Sequence, residues 1–315
     1  MTQQAAADGR DVPSGAVAVV GSANLDIVVG VARHPRLGET VIGGDHAQVP
    51  GGKGANQAVA TARLGAPTAF IGRVGSDDPG RALTRALDAD GVDVTALGAD
   101  PDAPSGIALI VVGEDGENTI VVSPGANSRL EPHHVDAAGA VLADAAALLV
   151  QLEIPLDTVA AAVAAARGIV VLNPAPAAAL PAEVLARTDV LVPNRSELAL
   201  LAGASEEPTT TEEVVALARR LEGPRAIVVT LGADGSLVVD GETVTAIPPR
   251  RVDPVDATAA GDAFCAALTV RLVAGASLAD AASYANTAAA LATTRHGAQP
   301  SLPSRDEVAA ARTSP

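Results

Sequence analysis

The chain predicts an α/β fold: a mostly parallel central sheet covered on both faces by helices, plus a small separate β-sheet lid. Three observations carry this. Short apolar runs alternate with helix-period segments through most of the 315 residues. Hydrophobic residues make up 48% of the chain but aromatics only 1%, so the core must be Val, Leu, Ile and Ala. Such a core suits parallel strands buried on both faces under alanine-rich helices. Two β-prone stretches then break the alternation.

In chain order, residues 1–14 are polar, with no apolar signal core, and are expected to be a disordered tail before one domain over 15–310. The apolar run 16–21 ends at Gly-Ser and predicts a first strand. Stretches 25–31 and 40–49 lack helical period and are rich in Val, Ile and Gly; 107–112 and 118–123 flank the turn signal Gly113-Glu-Asp-Gly116. They predict a lid inserted in two pieces, at about 25–49 and 105–123. A helix over 53–64 stops at Gly65, a strand covers 68–74, and the helix 80–90 closes at Gly91. Strand 147–152, helix 156–167 and strand 168–172 follow, then a short strand 190–192 and a helix 196–201. Helix 211–221 has a Thr-x-Glu start; strand 226–231 leads into a hairpin, 236–240 with 243–247, and two helices near 261–273 and 278–293 end the series.

The most informative segment is Asp256-Ala-Thr-Ala-Ala-Gly-Asp-Ala-Phe264, before a long helix. Ala259, Ala260 and Gly261 sit where that helix begins, so their backbone N–H groups and the helix dipole predict an anion site that small side chains leave open. Asp262 adds a carboxylate at its mouth. That placement suits a base that takes a proton from a hydroxyl attacking a phosphoryl group. Read as an exposed aspartate, with a pKa near ~3.9, it acts mainly by position.

Other polar residues fall past the ends of predicted strands, where open α/β sheets bind ligands. Asn24-Leu-Asp26 offers hydroxyl-binding groups or an Asx turn. Gly51-Gly-Lys-Gly-Ala-Asn-Gln57 opens a helix with room for a polyhydroxyl ligand, or is an ordinary glycine turn. Glu153 is a ligand group or a loop acid; Asn194 and Glu197 flank a metal-bound triphosphate or form a capping pair. Thr230-Leu-Gly-Ala-Asp-Gly235 is a nucleotide turn or a plain β-turn.

Several classes are excluded or disfavoured. The formal net charge of −16 argues against nucleic-acid or anionic-membrane partners. Lys53, the lone lysine, is followed by Gly54 where a phosphate loop needs Ser or Thr. No Gly-x-Gly-x-x-Gly follows the first strand, and the five histidines have no metal-ligand spacing. Cys265 is the only cysteine, so no intrachain disulfide forms. No apolar run reaches membrane-spanning length, and the protein is expected to be soluble and cytoplasmic.

Taken together, these motifs resemble the ribokinase (PfkB) family of carbohydrate kinases, from Gly21-Ser-Ala-Asn-Leu-Asp26 to Arg295-His-Gly-Ala-Gln-Pro-Ser301. Gly51–Gln57, Gln151-Leu-Glu153, Asn173-Pro-Ala-Pro176 and 295–301 narrow it within that family. The resemblance implies a ribokinase-like three-layer sandwich that phosphorylates D-ribose at O5 with ATP. Asn24, Asp26, Gly52, Lys53, Gly54, Asn56 and Glu153 would line the sugar pocket, with Asp262 as base and the 259–261 amides as anion hole. Asn194, Thr230, Leu231, Gly232, Ala233, Asp234, Gly235, Gly261 and Asn286 would hold ATP, and Glu197 would orient Mg2+ through water. A K+ site would use Asp256, Thr258, Ala292, Arg295, Gly297 and Ser301, mostly through backbone carbonyls. Ala257 and His296 depart from the usual family residues there. A homodimer through the lid is implied. Another sugar, deoxyribose or a nucleoside as substrate stays open, as does a non-catalytic sugar-binding regulator.

Overall fold

The computed structural model describes residues 15–313; the expected tail over 1–14 lies outside them. The chain begins with β1 (Val17–Val20), β2 (Asn24–Val31), β3 (His46–Gly51), α1 (Lys53–Arg63), β4 (Thr68–Gly75) and α2 (Asp78–Ala89). Next come β5 (Leu97–Asp100), β6 (Gly106–Gly113), β7 (Asn118–Ser123), α3 (Pro132–Ala137) and α4 (Gly139–Asp144). The middle holds β8 (Ala147–Val150), α5 (Leu156–Ala165), β9 (Ile169–Leu172), α6 (Ala182–Arg187), β10 (Val190–Leu191) and α7 (Arg195–Leu201). Then follow α8 (Thr211–Ala218), β11 (Ala226–Thr230), β12 (Ser236–Asp240), β13 (Thr243–Ile247), α9 (Ala260–Val273), α10 (Leu278–Ala292) and α11 (Arg305–Thr313).

Nine strands form one sheet in the order β13-β12-β11-β10-β9-β8-β1-β4-β5. It is parallel except for β12 and β13, which a short connection returns antiparallel at one edge. Side chains of a strand alternate between faces. In β1, Val17 and Val19 join a core with α1, α2, α9 and α10, while Ala18 and Val20 join a second core with α3 to α8. Three layers result, and no side chain of β1 reaches solvent. From β1 the chain goes to β4 and β5 on one side and later to β8 and its successors on the other. That reversal opens a crevice at the carboxyl ends of β1 and β8, where α/β sheets place ligands.

The interrupting stretches form a separate four-stranded sheet, β3-β2-β6-β7. Of the expected strand 40–49, only the part from His46 is extended in a ladder. Gly43 and Gly44 precede it, and Gly44 donates to the Gly30 carbonyl (2.9 Å) outside any ladder; glycine pays the most entropy to enter a strand. Five elements had no sequence expectation: β5, α3, α4, α6 and α11. All are short or polar. β5 contains Gly98, and α11 buries only Val308.

Candidate active site

Two helix starts meet at the crevice. At α1, Gly52 has φ 87°, and a Cβ there would stand 2.7 Å from the Asn24 nitrogen. A Cβ on Gly54 would stand 2.6 Å from the Ser22 nitrogen. Only glycine lets the first turn of α1 lie on the chain leaving β1. At α9, Ala259 is left-handed, with φ 60° and ψ 8°, a conformation costly for a residue with a Cβ. It turns the chain so that α9 points its first amides at the crevice.

The predicted three-amide anion hole needs one correction. The Ala260 N–H is already donated to the Ala257 carbonyl (3.2 Å), closing the turn that sets Ala259 left-handed. Among the described residues no backbone acceptor takes the N–H of Ala259 or Gly261. A Cβ at Gly261 would meet nothing within 4 Å, so that amide is open to approach.

Asp262 differs more from the sequence reading. It is buried, not exposed, because α1 packs against α9. Its Oδ2 accepts from Asn56 Nδ2 and its Oδ1 from Gln57 Nε2, both at 3.0 Å. Burial raises its pKa; Lys53 and the two amides pull the other way, and Glu153 adds to the rise. A hydrogen bond to a charged group contributes about 1.5–3 kcal/mol, against several kcal/mol to desolvate the ion. The amides therefore offset burial in part, and the carboxyl is more basic than an exposed aspartate.

The wall formed by β1, β2 and α1 is acidic. Asp26 is buried, and a Cβ on Gly51, which pairs with Asn24 in the β2–β3 ladder, would lie 2.1 Å from the Asp26 Oδ2, so glycine there leaves the carboxylate its place. Burial, then Glu153, then Asp262 push the Asp26 pKa up to about 7. Glu153 Oε2 accepts from Ser22 Oγ (2.6 Å) and the Lys53 N–H (3.0 Å). Asn24 Oδ1 accepts from Asn127 Nδ2 (2.7 Å), while Asn127 itself bonds the Ala23 N–H and carbonyl. This fixes the amide orientation of Asn24: its Nδ2 is the end left for a ligand. Asn56 Oδ1 is buried without a partner, an acceptor awaiting a donor.

Beyond Asp262 lies a cavity of about 240 Å³ lined by Lys53, Asn194, Glu197, Thr230, Ala259, Gly261 and Asp262, with Asn173, Ala175, Val192, Ala257 and Cys265. Lys53, grouped with the sugar residues in the sequence reading, thus also faces the α7 side. Burial opposes its charge, but Asp262, Glu153 and Glu197 outweigh this and raise its pKa. Asn194 and Glu197 form the expected capping box of α7: Asn194 Oδ1 accepts the Glu197 N–H (2.8 Å) and Glu197 Oε2 the Asn194 N–H (2.8 Å). Both still border the cavity. A parallel bridge sets Asn194 beside Thr230. Leu231 donates to the Gly235 carbonyl (2.8 Å) around the turn Gly232–Asp234, where Asp234 pairs with Arg195 (3.0 Å). Asn286 stands outside the cavity lining; its Nδ2 donates to the carbonyls of Ile247 (3.2 Å) and Pro248 (3.0 Å), bracing the exit of β13.

The loop before α9 is tied to the chain after α10. Asp256 Oδ1 accepts the Thr258 N–H and Oδ2 the Gly297 N–H, each at 2.8 Å. Burial would raise the Asp256 pKa, but these bonds outweigh it and lower it. Ala292 ends α10 in the core, the Ser301 hydroxyl donates to the Ala298 carbonyl (2.8 Å), and Arg295 pairs with Glu307. Among the described residues no group of three or more His, Cys, Asp or Glu could hold a metal.

The sequence reading quoted Ser22, Gln57, Gln151 and Asn173 within motifs without a role, and missed Asn127. Gly125-Ala-Asn127 repeats the tripeptide Gly54-Ala-Asn56, the one local signal that could have marked Asn127.

Comparison with known proteins agrees with this geometry. The pattern of the pfkB family carbohydrate kinases matches residues 15–305. A ribokinase of Haemophilus influenzae is 39% identical over 292 residues, 92% of this chain and 95% of that protein. A deoxyribokinase of Salmonella typhi is 34% identical, covering 92% of this chain and 96% of that one. The structure of Arabidopsis thaliana ribokinase complexed with ribose and ATP superposes with a TM-score of 0.85 at 34% identity, over 96% of this chain and 99% of that one. The fold, the paired helix starts and these matches agree: the chain belongs to the pfkB family of carbohydrate kinases.

Proposed function

We propose that this kinase transfers the γ-phosphoryl group of ATP to O5 of D-ribose. One observation carries the reading: Asp262, gripped by α1, borders the same cavity as the unpaired amides of Ala259 and Gly261. The relatives that act on ribose support the substrate.

Sugar hydroxyls donate to Asp26, Glu153 and the unpartnered Asn56 Oδ1, and accept from Asn24 Nδ2. Gly52 and Gly54 let α1 lie close against the chain leaving β1, which brings Lys53 and Asn56 to the sugar pocket. The O5 hydroxyl gives its proton to Asp262 as O5 bonds to the γ-phosphorus and the bond from that phosphorus to ADP breaks. An aspartate, even raised by burial, is far too weak to ionise an alcohol beforehand, so proton transfer is late and concerted. The amides of Ala259 and Gly261, with Lys53, hold the charge that develops on the phosphoryl oxygens. Asn194, Thr230, the 231–235 turn and Gly261 seat the nucleotide, with Asn286 acting by bracing the loop after β13.

Glu197, at the cavity edge and held by its cap, fits a role in orienting Mg2+ through water; the ion would neutralise phosphate charge. The oxygen-rich 256–258 and 292–301 loops, tied by Asp256, fit a hard monovalent cation such as K+ held by Asp256, Thr258, Ala292, Arg295, Gly297 and Ser301. The four-stranded sheet serves as a lid that excludes water. On β6 and β7, Leu109 and Val121 are exposed on one face of the small sheet and Ile120 and Val122 on the other, so its edge is apolar on both sides, which supports a homodimer through the lid.

A phosphoryl-transfer assay over D-ribose, 2-deoxyribose, fructose and a nucleoside, with and without K+, tests the proposal. D-ribose should turn over fastest, and K+ should stimulate more than Na+. Preference for deoxyribose would favour the second reading, supported by the deoxyribokinase relative.

A further inference from the structure

Behind Asp262 lies a chain of buried amides with no role in the sequence reading. A primary amide has one accepting and one donating end, so its neighbours dictate which way it points. Gln151, just past the end of β8 and fully buried, donates from Nε2 to Gln57 Oε1 at 2.5 Å. That bond claims the accepting end of Gln57. Its Nε2 therefore faces the other way, toward Asp262 Oδ1 (3.0 Å) and Asn173 Oδ1 (3.2 Å). Asn173 is oriented in turn by donating from Nδ2 to the Val192 carbonyl at 3.1 Å. Strand ends from β8, β9 and β10 thus converge on one glutamine of α1: Asn173, tied to the Val192 carbonyl, fixes which end of Gln57 faces Asp262, while Gln151 caps the other end and keeps its own Oε1 buried without a partner.

The two donors to Asp262 are not equivalent. Asn56 has a buried oxygen with no partner, so it is free to rearrange when a hydroxyl arrives. Both ends of Gln57 are engaged away from the sugar. We propose that Gln57, held between Asn173 and Gln151, is the positioning residue that holds the Asp262 carboxylate in its attacking orientation while Asn56 turns to the sugar. It touches no substrate and acts through Asp262. The proposal rests on the reading of Asp262 as the base, and adds that the base is aimed by a relay anchored in the central sheet.

The test uses the full-length enzyme with Q57M, Q151M and the double variant Q57M/Q151M, beside D262N as reference. Methionine keeps the approximate length of glutamine and removes its donor. Q57M should lower kcat about 10–100-fold, the usual loss for a group that orients a site residue, with KM for ribose and ATP changed only a few-fold. Losing a donor to the carboxylate raises its pKa, and activity needs the ionised form. The acid limb of the kcat–pH profile should therefore move to higher pH. Q151M, which removes the donor to Gln57 Oε1 and leaves Gln57 held from one side only, should shift both readouts the same way by less. The double variant removes the Gln57–Gln151 pair together, which costs less stability than orphaning one partner, so it serves if Q57M does not fold.

Wild-type kcat and an unmoved acid limb in the double variant would overturn the relay while an inactive D262N left the base standing. A loss of kcat with an unmoved limb, or a rise of both KM values matching the loss, would make Gln57 merely structural. Undiminished turnover by D262N would remove the base and the relay with it.

Discussion

Asp262 and Asp26 are both buried acids, yet burial does different work at each. Asp262 is compensated by two amides and Lys53, whereas Asp26 is pressed by Glu153 and Asp262 and rises to about 7. Near neutral pH the free enzyme therefore keeps part of its Asp26 protonated. Hydroxyls that donate to the carboxylate lower its pKa in the complex, so ribose binding should release a proton. Affinity should rise with pH and level off above about 7, where the free carboxyl is already ionised. Calorimetry in buffers of different ionisation enthalpy measures that release, and Asp26→Asn should abolish it. None of this was legible in the sequence. The nonapeptide around Asp262 reads locally as a helix start with a first-turn acid; only the packing of α1, some two hundred residues earlier, buries it. The residue types were legible because the chemistry of a hydroxyl and a phosphate calls for acids, amides and glycines at strand ends.

At the scale of elements, the long periodic segments were legible and the short ones were not. Strands β1, β8 and β11 are apolar runs closed by turn residues, and α9 and α10 are long helices between clear breakers. Elements such as β5 and α6 owe their shape to neighbours rather than to their own pattern. The start of α1 shows how glycines read as a motif become a steric requirement. Gly54→Ala would press a methyl group on the backbone of Gly21 and Ser22. Such overpacking is expected to cost about 1–3 kcal/mol, read as an earlier urea midpoint. The displaced helix should also weaken ribose binding, because Asn56 rides on it. An unchanged midpoint and ribose KM would mean that the close approach of α1 to β1 is relaxed in solution. The turn before α9 has a similar character: Ala259 holds a left-handed conformation, and Ala259→Val, with a β-branched side chain there, should lower turnover and stability together in activity and thermal-melt measurements.

For the molecule as a whole, the proposed reaction asks three parts of the chain to work together: the four-stranded sheet proposed as a lid, the α1 wall and the loops around α9. The apolar edge strand β7 gives the lid a second task if two copies meet there. Val121→Asp should then shift sedimentation toward a monomer and raise the ribose KM, while an unmoved sedimentation coefficient would remove that interface. The tie between the 256 and 297 loops should make K+ support thermal stability as well as turnover. Asp256→Asn should blunt both effects, and equal melting curves in K+ and Na+ would speak against a cation between those loops. The central claim is that Asp262 takes the sugar's proton inside the cavity that holds the transferring phosphoryl group. Its most direct measurement is single-turnover transfer from labelled ATP to ribose by Asp262→Ala, with both substrates saturating. The expected result is a transfer rate lower by about 10²–10⁴-fold with ribose and ATP binding close to wild type. Transfer at the wild-type rate under those conditions would contradict it.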